Sequence, residues 1–496
     1  MVRLVADQIH RLSLVVSLGF LVVALGLGYW QVVAADDVLR RPTNPRLIEE
    51  ERRILRGRIL DRNGEVLASS QRVGELAQRS YTYPPLAHVT GYASTKYGKS
   101  GVEDAYDSYL RGDRTADPRQ GLRNKLLRGE QQGSDVTLTI DVRLQRVADE
   151  ALGNDRGAIA AINVRTGEVL ALASHPYFDP NTLEDQWARL SQDSTQPFVG
   201  RAIEGQYVPG STFKIVTDSA ALDLGIADPN QRIHHEADLI VQGFRIRNTN
   251  HPQLRDLSFA EEFAWSCNVA HAFVGLSLGS TGLIDFGPLA PSQAYTWDRG
   301  GVEASVARFR EYARRFGIGV APAFDLPTSA GRLSARDDMT PVELANTAFG
   351  QGDLQVSPLQ MALAAATISR GGEMPAPYLA IQAGEEGSAV QLHRPGGTLR
   401  RVVNVSTAQA MNAMMVLSVE TAYAQPARIP GVPVGGKTGT AEVGGGAQPH
   451  AWFIGYAPAD RPGVAISVIM ENKGSGTTFA TPAGQKVLQA ALQLGY

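Results

Sequence analysis

Ser211-Thr212-Phe213-Lys214 is the only Ser-x-x-Lys arrangement in the 496 residues, and it directly follows the turn pair Pro209-Gly210. On a helix, positions three apart share a face, so the Lys214 amine can reach the Ser211 hydroxyl, a nucleophile beside a candidate base. Of 47 cationic residues only seven are lysine. Arginine does not lose its proton in a protein, whereas a buried lysine can be tuned to do so. To act as a base near neutral pH, Lys214 needs its pKa lowered by roughly 3 from about 10.4, a cost of about 4 kcal/mol. Burial beside a second cation could supply that. Taken alone, the tetrapeptide also fits a helix start with Ser211 as a cap and Lys214 in solvent.

Two further signals follow in chain order, Ser266-Cys267-Asn268 and Lys437-Thr438-Gly439-Thr440. Ser266 and Asn268 sit two apart and would diverge on a regular helix, so a loop or turn opening the next helix is expected, where both side chains line a cleft. Ser266 could relay a proton to a leaving group, and Asn268 could hold an amide while orienting Lys214. Capping is the plainer role for both. Lys437 to Thr440 follow Gly435-Gly436 in an apolar stretch and read as an edge strand. There Gly439 admits a ligand backbone, and the Thr440 N–H can join that of Ser211 in an oxyanion hole. Strand alternation puts Thr438 and Thr440 opposite Lys437, leaving open which hydroxyl meets substrate.

Other patterns carry less. Gly275-Leu276-Ser277-Leu278-Gly279 matches a nucleophile elbow in letters but ends a helix-like run, where the motif needs strand-turn-helix. His234-His235-Glu236 lacks a further ligand at motif spacing, so no metal site is expected. Cys267 has no histidine arrangement around it and reads as a small packed residue.

The elements that must position these groups are legible in part. Gly57 to Ala68 alternate around an Asn63-Gly64 turn and read as a hairpin. The polar, Gly- and Tyr-rich Tyr81 to Gly133 connect to Val136 to Asp141, after which the spacing of Val142, Leu144, Val147, Ala151 and Leu152 turns helical. Ala158 to Val164 and Val169 to Ser174 flank a turn and predict one antiparallel hairpin, and Ala451 to Tyr456 with Val464 to Glu471 predict another. With the Lys437 strand that makes about five antiparallel strands, on which the helices between residues 211 and 425 must pack. Ala483 to Leu494 read as a closing helix.

Length and 43% hydrophobic content allow one large core and a second, smaller module. A net charge of -3 offers no basic field for nucleic acid, and one cysteine excludes an internal disulfide. Between Arg11 and Asp36 lie 24 uncharged residues, rich in Leu, Val and Gly, long enough to cross a bilayer as a helix. A cleaved signal is the nearest rival, with Val33-Ala34-Ala35 as a cleavage site, but signal apolar regions are usually shorter. An uncleaved anchor is expected. The flanking cations, Arg3 and Arg11 before the span and Arg40, Arg41 and Arg46 after it, do not fix its orientation.

The ordered trio is that of penicillin-binding proteins and serine β-lactamases. With Arg56 to Ala68, Val89 to Leu110 (ending in Gly101-Val102-Glu103-Asp104-Ala105-Tyr106), Thr166 to Asn181, Gly350 to Met361 and His450 to Phe453, the chain resembles a class B penicillin-binding protein from the anchor to the last helix. Its short first module is most similar to that of the actinobacterial penicillin-binding protein A group. The resemblance implies an α+β fold: a cytoplasmic tail (1–11), a transmembrane helix (12–35), a small extended β-rich pedestal (36–140), and a transpeptidase domain (141–496). That last domain would be a five-stranded antiparallel sheet with helices on both faces and an all-helical subdomain.

The activity implied is that of an extracytoplasmic, single-pass D,D-transpeptidase without a cofactor. Ser211 would attack the D-Ala-D-Ala bond of a peptidoglycan stem peptide and pass the acyl group to an amine, and β-lactam antibiotics would acylate the same serine. Lys214, Ser266, Asn268 and Lys437 would assist, with Thr438, Gly439 and Thr440 binding substrate. A SEDS glycosyltransferase in the membrane is the implied partner. About one hundred residues before the transpeptidase are too few for the glycosyltransferase of class A proteins. Glu303 lacks the Asn pattern of the deacylating glutamate of class A β-lactamases. The rival readings are a D,D-carboxypeptidase or β-lactamase, and a non-enzymatic β-lactam sensor or scaffold.

Overall fold

The computed structural model describes residues 2–30, 49, 51–114, 132–233, 238–248, 257–280, 299–336, 338–384 and 389–496. His234-His235-Glu236 and the expected end of the anchor at residue 35 lie outside them. Helix α1 (Val2–Gly28) contains a 22-residue stretch, Asp7–Gly28, long and apolar enough to cross a membrane and buried against none of the described residues.

The following strands, β1 (Ile59–Leu60), β2 (Val66–Val73), β3 (Leu76–Tyr81) and β4 (Val136–Leu138), start a six-stranded sheet. β1 and β2 form the expected hairpin, and β4 runs parallel to β1. Next come α2 (Val142–Leu152), capped by the Asp141 carboxylate, then β5 (Gly157–Asn163), β6 (Val169–His175) and α3 (Lys214–Asp223). A small hairpin, β7 (Asp238–Val241) and β8 (Phe244–Arg247), precedes helix α4 (Phe259–Ala264) and helix α5 (Asn268–Ser277). Helices α6 (Arg299–Arg315), α7 (Pro341–Ala348) and α8 (Pro358–Ser369) follow. Strands β9 (Ala380–Ala383) and β10 (Val390–Gln391) return to complete the first sheet, with order β10-β9-β4-β1-β2-β3. The chain closes with α9 (Val405–Thr421), β11 (Gly435–Ala441), β12 (His450–Ala457), β13 (Val464–Met470) and α10 (Ala480–Gln493).

The second sheet has the order β11-β12-β13-β5-β6, antiparallel throughout, with β11 at its edge as expected. Strands β5 and β13 are buried along their whole length because both faces are covered. On one face α2 and α10 pack through Leu144, Leu152, Val487 and Leu488. On the other lies α8, buried at every residue from Pro358 to Ile368 and apolar there except for Gln360 and Thr367. Each buried Leu or Ile there stabilises the fold by about 1.5–3 kcal/mol relative to exposure.

The region between Tyr81 and Arg114 of the polar connection is more ordered than its composition suggests. It is organised around one acid, Glu103, which is fully buried. Glu103 accepts from Arg56 Nε at 2.7 Å, Arg79 Nε at 2.6 Å and Tyr81 Oη at 3.2 Å. Asp107 takes a second Arg56 nitrogen at 2.6 Å. Removing one member of such a cluster leaves buried charge without its counter-charge. Glu103→Ala is therefore expected to lower unfolding stability by about 3–5 kcal/mol, read as a fall in the urea midpoint at unchanged slope.

Candidate active site

Ser211 sits in a 3-10 turn, Gly210–Phe213, that runs straight into α3 at Lys214. The sequence reading put both residues on a regular helix. In the tighter turn they still lie on one side, since a 3-10 helix eclipses positions three apart. The turn is held by Thr212 Oγ1 donating to Pro209 O at 2.8 Å and by Gly210 N donating to Gly350 O at 2.9 Å. Gly350 has a φ of +89°, and a Cβ there would stand 1.8 Å from Gly210 O, so no other residue lets this loop support the turn. Trp452 Nε1 on β12 donates to Val208 O at 2.9 Å and fixes the approach from the other side.

The expected hydrogen bond between Lys214 and Ser211 is not made among the described contacts. Lys214 Nζ instead donates to Ser266 O at 2.6 Å, Ser266 Oγ at 3.2 Å and Asn268 Oδ1 at 2.9 Å. An ammonium has three donors, and these three acceptors use them. Lys437 Nζ donates to the same Ser266 Oγ at 2.9 Å and to Thr438 O at 3.2 Å. One hydroxyl thus bridges two lysines, both fully buried, drawn from segments 223 residues apart (437 minus 214).

Burial is the main cause that brings the Lys214 pKa down to about 7, opposed in part by the acidic groups of Cys267, Asp218 and Glu262. Burial, reinforced by the charge of Lys214, also pushes Lys437 well below the ordinary lysine value. The second cation therefore acts, but its effect falls on Lys437 and ranks behind desolvation. Together the two amines cannot both stay charged without cost.

Ser266 precedes α5 in a left-handed conformation, φ +62°, which costs a non-glycine residue roughly 1–2 kcal/mol. That conformation turns its hydroxyl toward the lysines. The cap of α5 is not Ser266 or Asn268. Cys267 Sγ accepts from Ala270 N at 3.3 Å, and Asn248 Oδ1 accepts from Asn268 N at 2.8 Å and Val269 N at 3.0 Å. Asn248 lies twenty residues upstream on a separate segment, and nothing in its local sequence marks it. Cys267 is buried and packed, as read from sequence.

On β11, Lys437 and Gly439 face the Ser211 turn, and a Cβ at Gly439 would stand 2.8 Å from Pro209 O. Thr438 is almost fully buried, whereas Thr440 is exposed. Gln351 Nε2 reaches the Thr440 carbonyl at 3.3 Å, and the same carbonyl faces Gly210. In an antiparallel strand the N–H and C=O of one residue point to the same side. The Thr440 N–H therefore points outward from the sheet edge, toward the Ser211 turn. Gln351 was not picked out as a site residue from sequence.

Ser277 is a helical residue of α5 whose hydroxyl donates to Phe273 O at 2.8 Å, so the elbow-like pattern around it is not a nucleophile site. Glu303 is exposed on α6, and no cluster of potential metal ligands occurs among the described residues.

Residues 157–492 match the penicillin binding protein transpeptidase domain, and residues 56–136 match the penicillin binding protein A dimerisation domain. The chain is 31% identical to the peptidoglycan D,D-transpeptidase PbpA of Mycobacterium tuberculosis over 516 aligned residues, covering 98% of this chain and 99% of that protein. It is also 31% identical to the PbpA of Mycolicibacterium smegmatis, covering 94% of each. Among solved structures, it is similar to penicillin-binding protein A from M. tuberculosis in a ceftriaxone acyl-enzyme complex. There the TM-score is 0.79 at 30% identity, covering 90% of this chain and all of that one. Pseudomonas aeruginosa PBP2 superposes with a TM-score of 0.72 at 26% identity, covering 88% of this chain and 95% of that one.

Proposed function

This chain belongs to the class B penicillin-binding proteins, the peptidoglycan D,D-transpeptidases, and from that premise we propose that Ser211 is its acyl-accepting nucleophile and Lys214 the base that activates it. The observation that carries the assignment is the pair of buried lysines joined through Ser266 Oγ beside the Ser211 turn.

Ser211 Oγ attacks the carbonyl of the D-Ala-D-Ala bond while its proton passes to neutral Lys214. The Ser211 and Thr440 N–H groups receive the negative charge that develops on the carbonyl oxygen. Ser266, hydrogen-bonded to both lysines, relays the proton to the departing D-Ala amine. The acyl-enzyme then passes its acyl group to the amine of a neighbouring stem peptide, with Lys214 accepting that amine's proton and returning it to the departing Ser211 Oγ, which restores the free serine and the neutral lysine. Asn268 holds the Lys214 amine in line and binds a substrate amide. Thr438, Gly439 and Thr440 lie on the edge strand β11, along which an extended peptide adds as a further strand. β-Lactams acylate the same serine.

We further assign 12–35 as a single-pass anchor after a short cytoplasmic tail, 36–140 as a pedestal and 141–496 as the transpeptidase domain on the outer side of the membrane. The shared first sheet couples pedestal and catalytic domain, since β9 of the latter pairs with β4 of the former and carries β10 on its other edge. A SEDS glycosyltransferase in the same membrane is the partner this topology suits.

A thioester donor offered with and without a D-amino acid tests the reaction. Transfer to the added amine is expected to compete with hydrolysis, and hydrolysis that the amine never diverts would favour a carboxypeptidase. The Lys214 pKa of about 7 fixes the pH dependence. Only the neutral amine accepts a proton, so the acylation rate constant for a chromogenic β-lactam rises through about pH 7 and levels off above it. Below pH 7 it falls about tenfold per unit.

A further inference from the structure

One turn below the site lies a buried acid–imidazole contact that the reaction steps above do not use. Asp218 follows Lys214 by four residues on α3, and His271 follows Cys267 by four on α5. Both are fully buried. His271 Nε2 stands 2.9 Å from Asp218 Oδ2, and His271 Nδ1 makes a short hydrogen bond to the Cys267 carbonyl. The contact thus joins the helix that carries Lys214 to the turn that carries Ser266 and Asn268.

Counting protons defines its state. A carbonyl oxygen only accepts, so Nδ1 must donate to Cys267 O. Burial, with Asp218 opposing and the nearby charge of Lys214 adding to it, lowers the His271 pKa. The Nδ1 proton is spent on the Cys267 carbonyl. Nε2 then presents a lone pair to a carboxyl oxygen 2.9 Å away, and one further proton must lie between them. The pair is net neutral wherever that proton sits. Among the described residues Asp218 Oδ1 is buried without a partner, which a charged oxygen tolerates far less than an uncharged one.

We propose that Asp218 and His271 are positioning residues for acylation, a one-proton neutral brace that fixes the left-handed Ser266 turn against the helix bearing Lys214. Neutrality matters as much as position, because an uncompensated carboxylate here would favour the ammonium form of Lys214 and oppose its use as a base. The proposal rests on Lys214 being the base toward Ser211.

The test compares full-length Asp218→Asn, Asp218→Ala and His271→Phe with the parent. His271 already packs beside the rings of Phe259 and Phe263, so phenylalanine fits the space. The readouts are the active fraction, titrated by covalent β-lactam capture, and the first-order acylation constant at saturating β-lactam. Asp218→Asn supplies an amide N–H to Nε2 in place of the shared proton and is expected to acylate within about threefold of the parent. Asp218→Ala and His271→Phe lose the link and are expected to slow acylation by at least about tenfold at undiminished active fraction. An Asp218→Asn protein as slow as the other two would overturn the neutral brace, as would parental rates in Asp218→Ala or His271→Phe. Losses confined to the active fraction would reduce the pair to packing. Failure of the Ser211 assignment shows separately, as β-lactam label on another residue of the parent.

Discussion

Ser211→Ala should leave the protein folded but unable to form a covalent β-lactam adduct or turn over a thioester donor, with activity lower by at least roughly 10⁴-fold. The fold survives because the turn is held by Thr212 Oγ1 and by the Gly210–Gly350 backbone bond, and not by the Ser211 hydroxyl. The melting temperature should therefore stay near that of the parent while labelling disappears. Residual cell-wall complementation by this variant would assign the protein a scaffolding role alongside or instead of catalysis.

Lys214→Arg is the second large effect, and the more diagnostic one. Arginine keeps positive charge at the same place but cannot release a proton under any condition the fold survives. Acylation should fall by roughly 10³-fold. The rate that remains should lose its rise through pH 7, because the group that produced that limb is gone. A preserved limb would move the base to Lys437, the other buried amine on Ser266 Oγ. The comparison therefore separates the two lysines, which the geometry alone treats almost symmetrically.

Much of this site was legible in sequence because its motifs are short and local. Ser211 with Lys214, Ser266 with Asn268, and Lys437 through Thr440 each sit within four residues, and their order along the chain carried the assignment. The edge position of β11 followed from Gly435-Gly436 and the apolar run, and the C-terminal run Ala483 to Leu494 read as a closing helix. The inner strands showed no alternation, because both faces of β5 and β13 are buried, and only apolar runs flanking turns betrayed them.

What stayed hidden depends on distant pairing. β9 joins the first sheet beside β4, more than 240 residues away (380 minus 138), and no periodicity announces such a partner. Asn248 caps α5 through space, Gln351 reaches Thr440 from a loop, and Asp218 meets His271 across two helices. Each is an ordinary polar residue in its own neighbourhood. The 3-10 turn at Ser211 was likewise invisible, because Pro209-Gly210 signals a turn without specifying the geometry that follows. Composition did help in one respect. Arginine serves the structural ion pairs, at Arg56, Arg79 and Arg201, whereas two of the few lysines lie fully buried at the site.

The most direct test is intact mass after incubation of the unaltered protein with a penicillin, followed by mapping of the adduct. One penicillin per chain, located on the tryptic peptide 202–214 at Ser211, is the result that the two buried lysines joined through Ser266 Oγ beside the Ser211 turn predict. Label on any other residue, or none at all, would contradict it.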